Sequence, residues 1–256
     1  MVRTVLITGG SSGIGRALVE RFASADDDVW FTYRTGEERA RQLIAGLPGR
    51  RVRAFPLDQG DRKACDALFA QLPGTPSVAI LNGGLGSATV ASYADSPAEQ
   101  DEALIRVNAT GVLWLAQGLV SRMRERGSGK LVFVSSVLGG VTQFTGFRLA
   151  DGMGKAAVAF LARQLAAELA HTPIDVFTIC PGATETPMLE ASTLSKMTPS
   201  ERVAFEQRLP KHRLVRAGEI AELAYFLCRP EAQVLHGAVL DASLGLGGHP
   251  GLVTGG

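Results

Sequence analysis

The densest chemistry of this 256-residue chain lies at its start. A short β-branched and leucine run over residues 2–8 stops at Gly9-Gly10-Ser11-Ser12-Gly13-Ile14-Gly15. Apolar residues at helical spacing (Ala17, Leu18, Phe22) follow at once. A buried strand, a glycine turn and a helix N-terminus in that order make a dinucleotide phosphate site. Glycines let the backbone approach a pyrophosphate, and the free N–H groups and dipole of the new helix favour its negative charge. The end of the next strand-like run decides which dinucleotide binds. An acidic residue there would accept hydrogen bonds from a ribose 2′-hydroxyl and repel a 2′-phosphate, but the chain reads Thr32-Tyr33-Arg34-Thr35. A guanidinium suits phosphate through paired charge-assisted hydrogen bonds, so Arg34, helped by Thr35, predicts NADP(H) in preference to NAD(H).

These groups need a parallel sheet to hold them. Strand-like runs fall near 2–8, 28–33, 51–56, 76–81, 130–135, 174–179 and 237–240, and helical patterns near 13–25, 36–46, 61–72, 97–126, 150–171 and 217–228. Regular alternation with apolar strands predicts one α/β domain over 1–256, a doubly wound parallel sheet of seven strands with helices on both faces. Residues 184–214 break the alternation with Pro187, Pro199, Pro210 and a polar amphipathic segment, and are expected to form a substrate lid. Surface decoration is the plainer alternative. Helix 150–171 is apolar on more than one face (Ala156, Val158, Phe160, Leu161, Leu165, Leu169), so both sides need cover. Either the helix at 97–126 supplies it, or a partner does in a homodimer or homotetramer built on helices near 97–126 and 150–171. The tail 244–256 is glycine-rich around His249 and Pro250, and either reaches a neighbouring subunit or hangs free.

Composition narrows the classes of function. Lys and Arg number 26 against 25 Asp and Glu, a balance that argues against nucleic acid or an anionic membrane as the main partner. Cys65, Cys180 and Cys228 show neither metal spacing nor an even count, and the four histidines stand far apart; reduced thiols in a cytoplasmic protein without a metal site are expected. The first strand begins at the N-terminus, which leaves no room for a signal peptide, and no apolar run is read as long enough to span a bilayer.

Taken in register, the motifs carry a resemblance. Thr8-Gly9-Gly10-Ser11-Ser12-Gly13-Ile14-Gly15 resembles the cofactor loop of the short-chain dehydrogenase/reductase family, and further landmarks follow in order along nearly the whole chain. Asp58 follows the third strand-like run, where the family binds adenine. Asn82-Gly83-Gly84 after the fourth is similar to the family's Asn-Ala-Gly. Asn108 lies mid-helix in Val-Asn-Ala-Thr-Gly, and Ser135-Ser136 ends the fifth run. Pro181-Gly182-Ala183-Thr184-Glu185-Thr186 after the sixth resembles the loop that holds the nicotinamide carboxamide. The resemblance implies a Rossmann fold and a nucleotide site of Gly9, Ser11, Ser12, Gly13, Ile14, Gly15, Arg34, Thr35, Asp58, Asn82, Gly83, Gly84, Lys155, Pro181, Gly182, Thr184 and Thr186. It places Asn108, Ser136, Asp151 and Lys155 at the catalytic centre.

The resemblance fails at one catalytic position. Family members carry Tyr-x-x-x-Lys at the start of this helix, with the tyrosine exchanging a proton with the substrate oxygen and a serine orienting the substrate. Lys155 is present, but Asp151 stands four residues before it, and no tyrosine occurs between Tyr93 and Tyr225. The separation from Ser136 to Asp151 is also slightly long, and the longer spacing of enoyl-reductase relatives lands on Arg148. A phenol has a pKa of about 10 and an aspartic acid about 3.9, so an aspartate beside a lysine is ionised at neutral pH and cannot donate to a developing oxyanion. It can act as a general base. Three readings follow. One is an NADP(H)-dependent oxidoreductase of altered proton handling, acting on a carbonyl, an alcohol or an activated C=C bond. The second is a non-redox isomerase or lyase with Asp151 as base, and the third a catalytically silent subunit. In the lid, Met188, Leu189, Leu194, Met197 and Phe205 beside Lys196, Arg202, Arg208, Lys211 and Arg213 would suit an acyl thioester on an anionic carrier.

Overall fold

The structure, a computed structural model, describes residues 2–143 and 147–248. Its chain order is β1 (Thr4–Ile7), α1 (Gly13–Ser24), β2 (Asp28–Tyr33), α2 (Glu37–Ala45), β3 (Val52–Pro56), α3 (Arg62–Gln71), β4 (Val78–Leu81), α4 (Pro97–Ile105), α5 (Gly111–Arg126), β5 (Gly129–Val134), α6 (Val137–Gly140), α7 (Leu149–Leu169), β6 (Ile174–Pro181), β7 (Thr184–Glu185), α8 (Pro187–Ser192), α9 (Pro199–Arg208), β8 (Val215–Arg216), α10 (Ala217–Leu227) and β9 (Val239–Ala242). Seven strands form one parallel sheet in the order β3-β2-β1-β4-β5-β6-β9. Successive side chains of a strand point to opposite faces, and both faces are covered. Val5 and Ile7 of β1 therefore join a core with Leu18 and Phe22 of α1 and Ala224 of α10. Leu6 joins the opposite core with Leu68 of α3, Leu115 and Leu119 of α5 and Val158 of α7. This is why the strands read as unbroken apolar runs, and the expected doubly wound fold is found.

The strand order reverses between β1 and β4, so the loops leaving their carboxyl ends diverge and open a crevice there. The chemistry gathers at that edge.

Two expectations are corrected. Residues 97–126 are not one regular helix, because a π-helical turn over Arg106–Thr110 separates α4 from α5. Within the 30-residue stretch Pro97–Arg126 an 18-residue window of mean hydropathy 1.3 also meets the length and apolarity of a bilayer span, contrary to the reading that none does. Of its most apolar window 56% is buried inside the protein, so its hydrophobicity is that of a core helix. On α7 the residues Ala150, Gly154, Val158, Ala162, Leu165 and Leu169 face inward. Leu149, Met153 and Phe160 stay exposed, so the helices at 97–126 do not cover its outer side.

The excursion at 184–214 folds into α8 and α9, neither with a buried residue, and each is capped by a threonine, Thr186 and Thr198. Pairing of β7 with β8 closes its base. Of the tail 244–256, residues 249–256 lie outside the described residues.

All three cysteines are buried, and burial pushes the thiols of Cys65 and Cys180 up to about 11 and that of Cys228 up to about 12. Because the thiolate is the reactive form, the native protein at about pH 8 is expected to leave Ellman's reagent unconsumed. Release of three thiols after unfolding in guanidinium, and none before, is the result to look for.

Candidate active site

The glycine turn is held to its neighbours by side-chain hydrogen bonds. Gly9 and Gly13 have φ of +67° and +53°, the left-handed region that favours glycine. A Cβ at Gly9 would lie 2.8 Å from the Cα of Gly83. The Thr8 hydroxyl accepts from the N–H groups of Asn82 (3.0 Å) and Gly83 (2.8 Å), and Asn82 Nδ2 donates back to the Thr8 carbonyl (3.1 Å). On the other side Gly9 N–H donates to Thr32 Oγ1 (3.2 Å) and Gly10 N–H to the Thr32 carbonyl (2.8 Å). At the N-terminus of α1, Ser12 provides no side-chain cap, whereas α3, α4, α8 and α9 are each capped by their own residue. Ser11 is 8% exposed, and its hydroxyl lies beside Gly36 without a side-chain hydrogen bond to the described residues. Uncapped N–H groups over glycine backbone, with the Ser11 hydroxyl beside them, fit a pyrophosphate.

Beyond this loop, Arg34 and Asp58 meet on a residue that the sequence did not single out. The Tyr93 hydroxyl lies 3.1 Å from both carboxylate oxygens of Asp58. The Arg34 guanidinium sits over the Tyr93 ring, 4.5 Å from its centroid, and donates to Ser92 Oγ at 3.1 Å. Burial, then the negative Asp58, raises the Tyr93 phenol above its ordinary range. Thr35 is exposed at the start of the following turn.

The third group centres on Asn108 in the π-helical turn. Its Oδ1 accepts from Leu85 N–H (2.7 Å) and its Nδ2 donates to the Leu85 carbonyl (2.8 Å), so it acts here as a positioning residue. Gln59, also missed from sequence, donates to the carbonyls of Gly83 (2.8 Å) and Val107 (2.9 Å) and ties the same loop to the π turn. A Cβ at Gly84 would meet Asn108 Oδ1 at 3.0 Å and Lys155 Nζ at 3.5 Å, which brings the lysine to this loop. Burial lowers the Lys155 ammonium below its ordinary range, and the charge of Asp151 opposes that shift. Asp151 is 5% exposed and accepts a hydrogen bond from Ser87 Oγ at 2.8 Å. Ser87 escaped notice because a lone serine two residues beyond a leucine carries no spacing signal. Ser136 caps α6, accepting from Leu138 N–H at 3.2 Å, while Ser135 donates to the Lys155 carbonyl at 2.7 Å.

Comparison with known proteins places these features. The family model described as short chain dehydrogenase matches residues 3–196. The chain belongs to the short-chain dehydrogenase family. It is 30% identical to a 2-(R)-hydroxypropyl-CoM dehydrogenase of Xanthobacter autotrophicus over 94% of this chain and 96% of that protein. With an acetoacetyl-CoA reductase of Rhizobium meliloti it shares 31% identity over 96% of this chain and 98% of the relative. Among solved structures it resembles an actinorhodin polyketide ketoreductase variant with NADPH (TM-score 0.85, 28% identity, 97% and 98% of the two chains covered). It also resembles levodione reductase (TM-score 0.86, 27% identity, 96% and 98%).

In this short-chain dehydrogenase the loop after β6 completes the crevice. Thr184 Oγ1 donates to the Gly182 carbonyl (2.9 Å), Thr186 Oγ1 donates to the Thr184 carbonyl (3.2 Å), and Gly182 packs on Ser243. The Thr186 methyl would lie 3.3 Å from a Cβ at Gly13, and Met188 of α8 packs on Gly86. The excursion at 184–214 thus touches both the glycine turn and the loop after β4. Its cations are partly neutralised, Arg202 by Glu190 and Glu206 and Arg213 by Glu219. Arg148 binds Asp101 (2.6 Å), Gln100 (2.8 Å) and the Pro97 carbonyl (2.9 Å), which anchors the start of α7 on α4.

Replacing Asn108 with alanine would leave both polar groups of the buried Leu85 peptide without partners. Each such group costs about 1–3 kcal/mol. Urea unfolding of Asn108→Ala is expected to show a loss of about 2–4 kcal/mol. A loss below about 0.5 kcal/mol, the range of an ordinary surface substitution, would show that the amide does not hold the loop.

Proposed function

We propose that the chain is an NADP(H)-dependent oxidoreductase in which Asp151, Ser87 and Lys155 handle the proton, acting on a carbonyl or alcohol. The assembled crevice carries this reading: the laced glycine turn with its uncapped α1 N-terminus and Lys155 at Gly84 stand together at the switch point. The bound nicotinamide would supply or accept hydride. The N–H groups of Gly13, Ile14 and Gly15 with Ser11 and Ser12 hold the pyrophosphate, Arg34 and Thr35 the 2′-phosphate, and Asp58 the adenine. Asn82, Gly83, Gly84 and Lys155 line the ribose side, and Pro181, Gly182, Thr184 and Thr186 the carboxamide. Ser136 orients the substrate oxygen. In alcohol oxidation the substrate hydroxyl gives its proton to Ser87 Oγ as Ser87 gives its own to the Asp151 carboxylate, the general base.

The names of the acetoacetyl-CoA reductase and of a 3-ketoacyl-(acyl-carrier-protein) reductase from Brucella melitensis (25% identity, TM-score 0.81, 95% and 97% covered) support an acyl thioester substrate. Lys196, Arg208 and Lys211 at the lid are the cations for its carrier. The exposed Leu149, Met153 and Phe160 support a homodimer or homotetramer, and three buried thiols suit a cytoplasmic setting. The burial of Asp151 against Ser87 favours a second reading, a subunit that binds nucleotide without turnover.

Two experiments test these readings. By calorimetric titration, NADPH should bind more tightly than NADH. Arg34→Ala should weaken NADPH by about 1.5–3 kcal/mol, the range for a hydrogen bond to a charged group, and leave NADH unchanged. Equal losses for both would remove Arg34 from the 2′-phosphate. In turnover with a 3-hydroxyacyl or 3-ketoacyl thioester, Asp151→Asn should lose at least about a hundredfold in kcat, as expected for a general acid–base group. Unchanged kcat would make Asp151 a bystander, and no turnover by the unaltered protein would favour the silent subunit.

A further inference from the structure

The residues assigned above to the adenosine end are already engaged by the chain itself. A 3-10 turn over Thr89–Ser92 leads into Tyr93, and Val90 anchors that turn in a small core with Leu85 and Leu104. Tyr93 is therefore seated from behind while its ring faces Asp58 and Arg34. Its hydroxyl lies 3.1 Å from both Asp58 oxygens, its face lies under the Arg34 guanidinium at 4.5 Å, and a Cβ at Gly60 would collide with the hydroxyl. Ser92 takes a hydrogen bond from the same guanidinium at 3.1 Å.

A dinucleotide whose pyrophosphate rests on the N-terminus of α1 must carry its adenosine towards the ends of β2 and β3. Adenine there would offer a flat π-face to a guanidinium and an exocyclic N–H donor to a carboxylate. A phenol ring with its hydroxyl offers the same pair of interactions. We infer that Tyr93 is an internal occupant of the adenine position, displaced when nucleotide binds, and so the residue that sets cofactor affinity. This rests on the nucleotide-binding reading above. A site whose competent form is only fractionally populated binds more weakly by that fraction, for any ligand that needs the displaced space. The penalty falls equally on NADPH and NADH, because both bring adenine. Selectivity between them stays with Arg34.

The test is calorimetric titration of the full chain and of Tyr93→Ala and Tyr93→Phe with NADPH, NADH and reduced nicotinamide mononucleotide, which lacks adenosine. Tyr93→Ala is expected to tighten NADPH and NADH alike, by about tenfold. Tyr93→Phe, which keeps the ring and loses the bond to Asp58, should give a smaller gain and guards against misfolding of the alanine variant. Mononucleotide affinity should not move. If the unaltered protein binds NADPH and neither variant binds it more tightly, the inference falls while nucleotide binding stands; weaker binding would make Tyr93 a wall of the site. If no form binds any of these nucleotides, both the inference and the cofactor reading fall. Binding by Tyr93→Ala alone would support both.

Discussion

Everything at the crevice depends on the two hydrogen bonds between the Asn108 amide and the Leu85 peptide. A primary amide offers one donor end and one acceptor end, and here both close on the backbone N–H and C=O of a single residue. The loop after β4 is thereby fixed to the helical layer instead of following the sheet edge. Gly84 is held against Lys155, and Ser87, two residues past Leu85, is brought to Asp151. The π-helical turn has a matching packing requirement. At Gly111 any Cβ would collide with the Gln59 carbonyl, and at Gly154 it would lie 2.9 Å from the Asn108 Cβ. The missing side chain at Gly111 lets the start of α5 pass the Gln59 carbonyl, and that at Gly154 lets α7 close on Asn108.

The sheet supplies the rest by geometry. Because β1 and β4 are neighbours whose connections leave in opposite directions, their terminal loops can be cross-tied only by groups that reach sideways. Thr8 does this with a hydroxyl that accepts two N–H groups, and Gln59 with an amide that donates to two carbonyls. Such bonds contribute about 1 kcal/mol each in net stability, but a buried peptide left unpaired costs more. The ties therefore select one arrangement of the loops more than they strengthen the fold. The N–H groups of α1 stay free of a side-chain cap, whereas α3, α4, α8 and α9 are capped.

What was legible in the sequence follows from this difference in range. The inner strands, such as β4 and β6, were readable because burial on both faces leaves apolar runs, and the glycine turn because strand, glycines and helix are contiguous. Arg34 was found as a cation at a strand end, but its seat on Tyr93 was not, since the two are joined only through the sheet order β3-β2-β1-β4. Gln59, Ser87 and Tyr93 gave no signal for the same reason: each acts across loops that sequence separates. The π turn was hidden because its residues, Arg106 to Thr110, have the composition of an ordinary helix, and the one clue was the glycine that follows. The apolar character of α7 on more than one face was legible, but Met153 and Phe160 stay exposed in the single chain.

The difference between an aspartate and a tyrosine at position 151 is one of reach as much as acidity. A phenol places its oxygen across the width of a ring, whereas a carboxylate ends one carbon past Cβ and stays close to the helix that bears it. Asp151 accordingly meets what the loop after β4 presents within hydrogen-bond range, and that is Ser87. In the proposed chemistry the serine restores the missing length, carrying a proton between a substrate oxygen and a carboxylate too short to touch it. Placement of Ser87 then becomes a catalytic requirement in its own right, and it is set by Leu85 and hence by Asn108. In that proposal the loop after β4 becomes part of the proton path, held by an amide whose two ends are closed on Leu85.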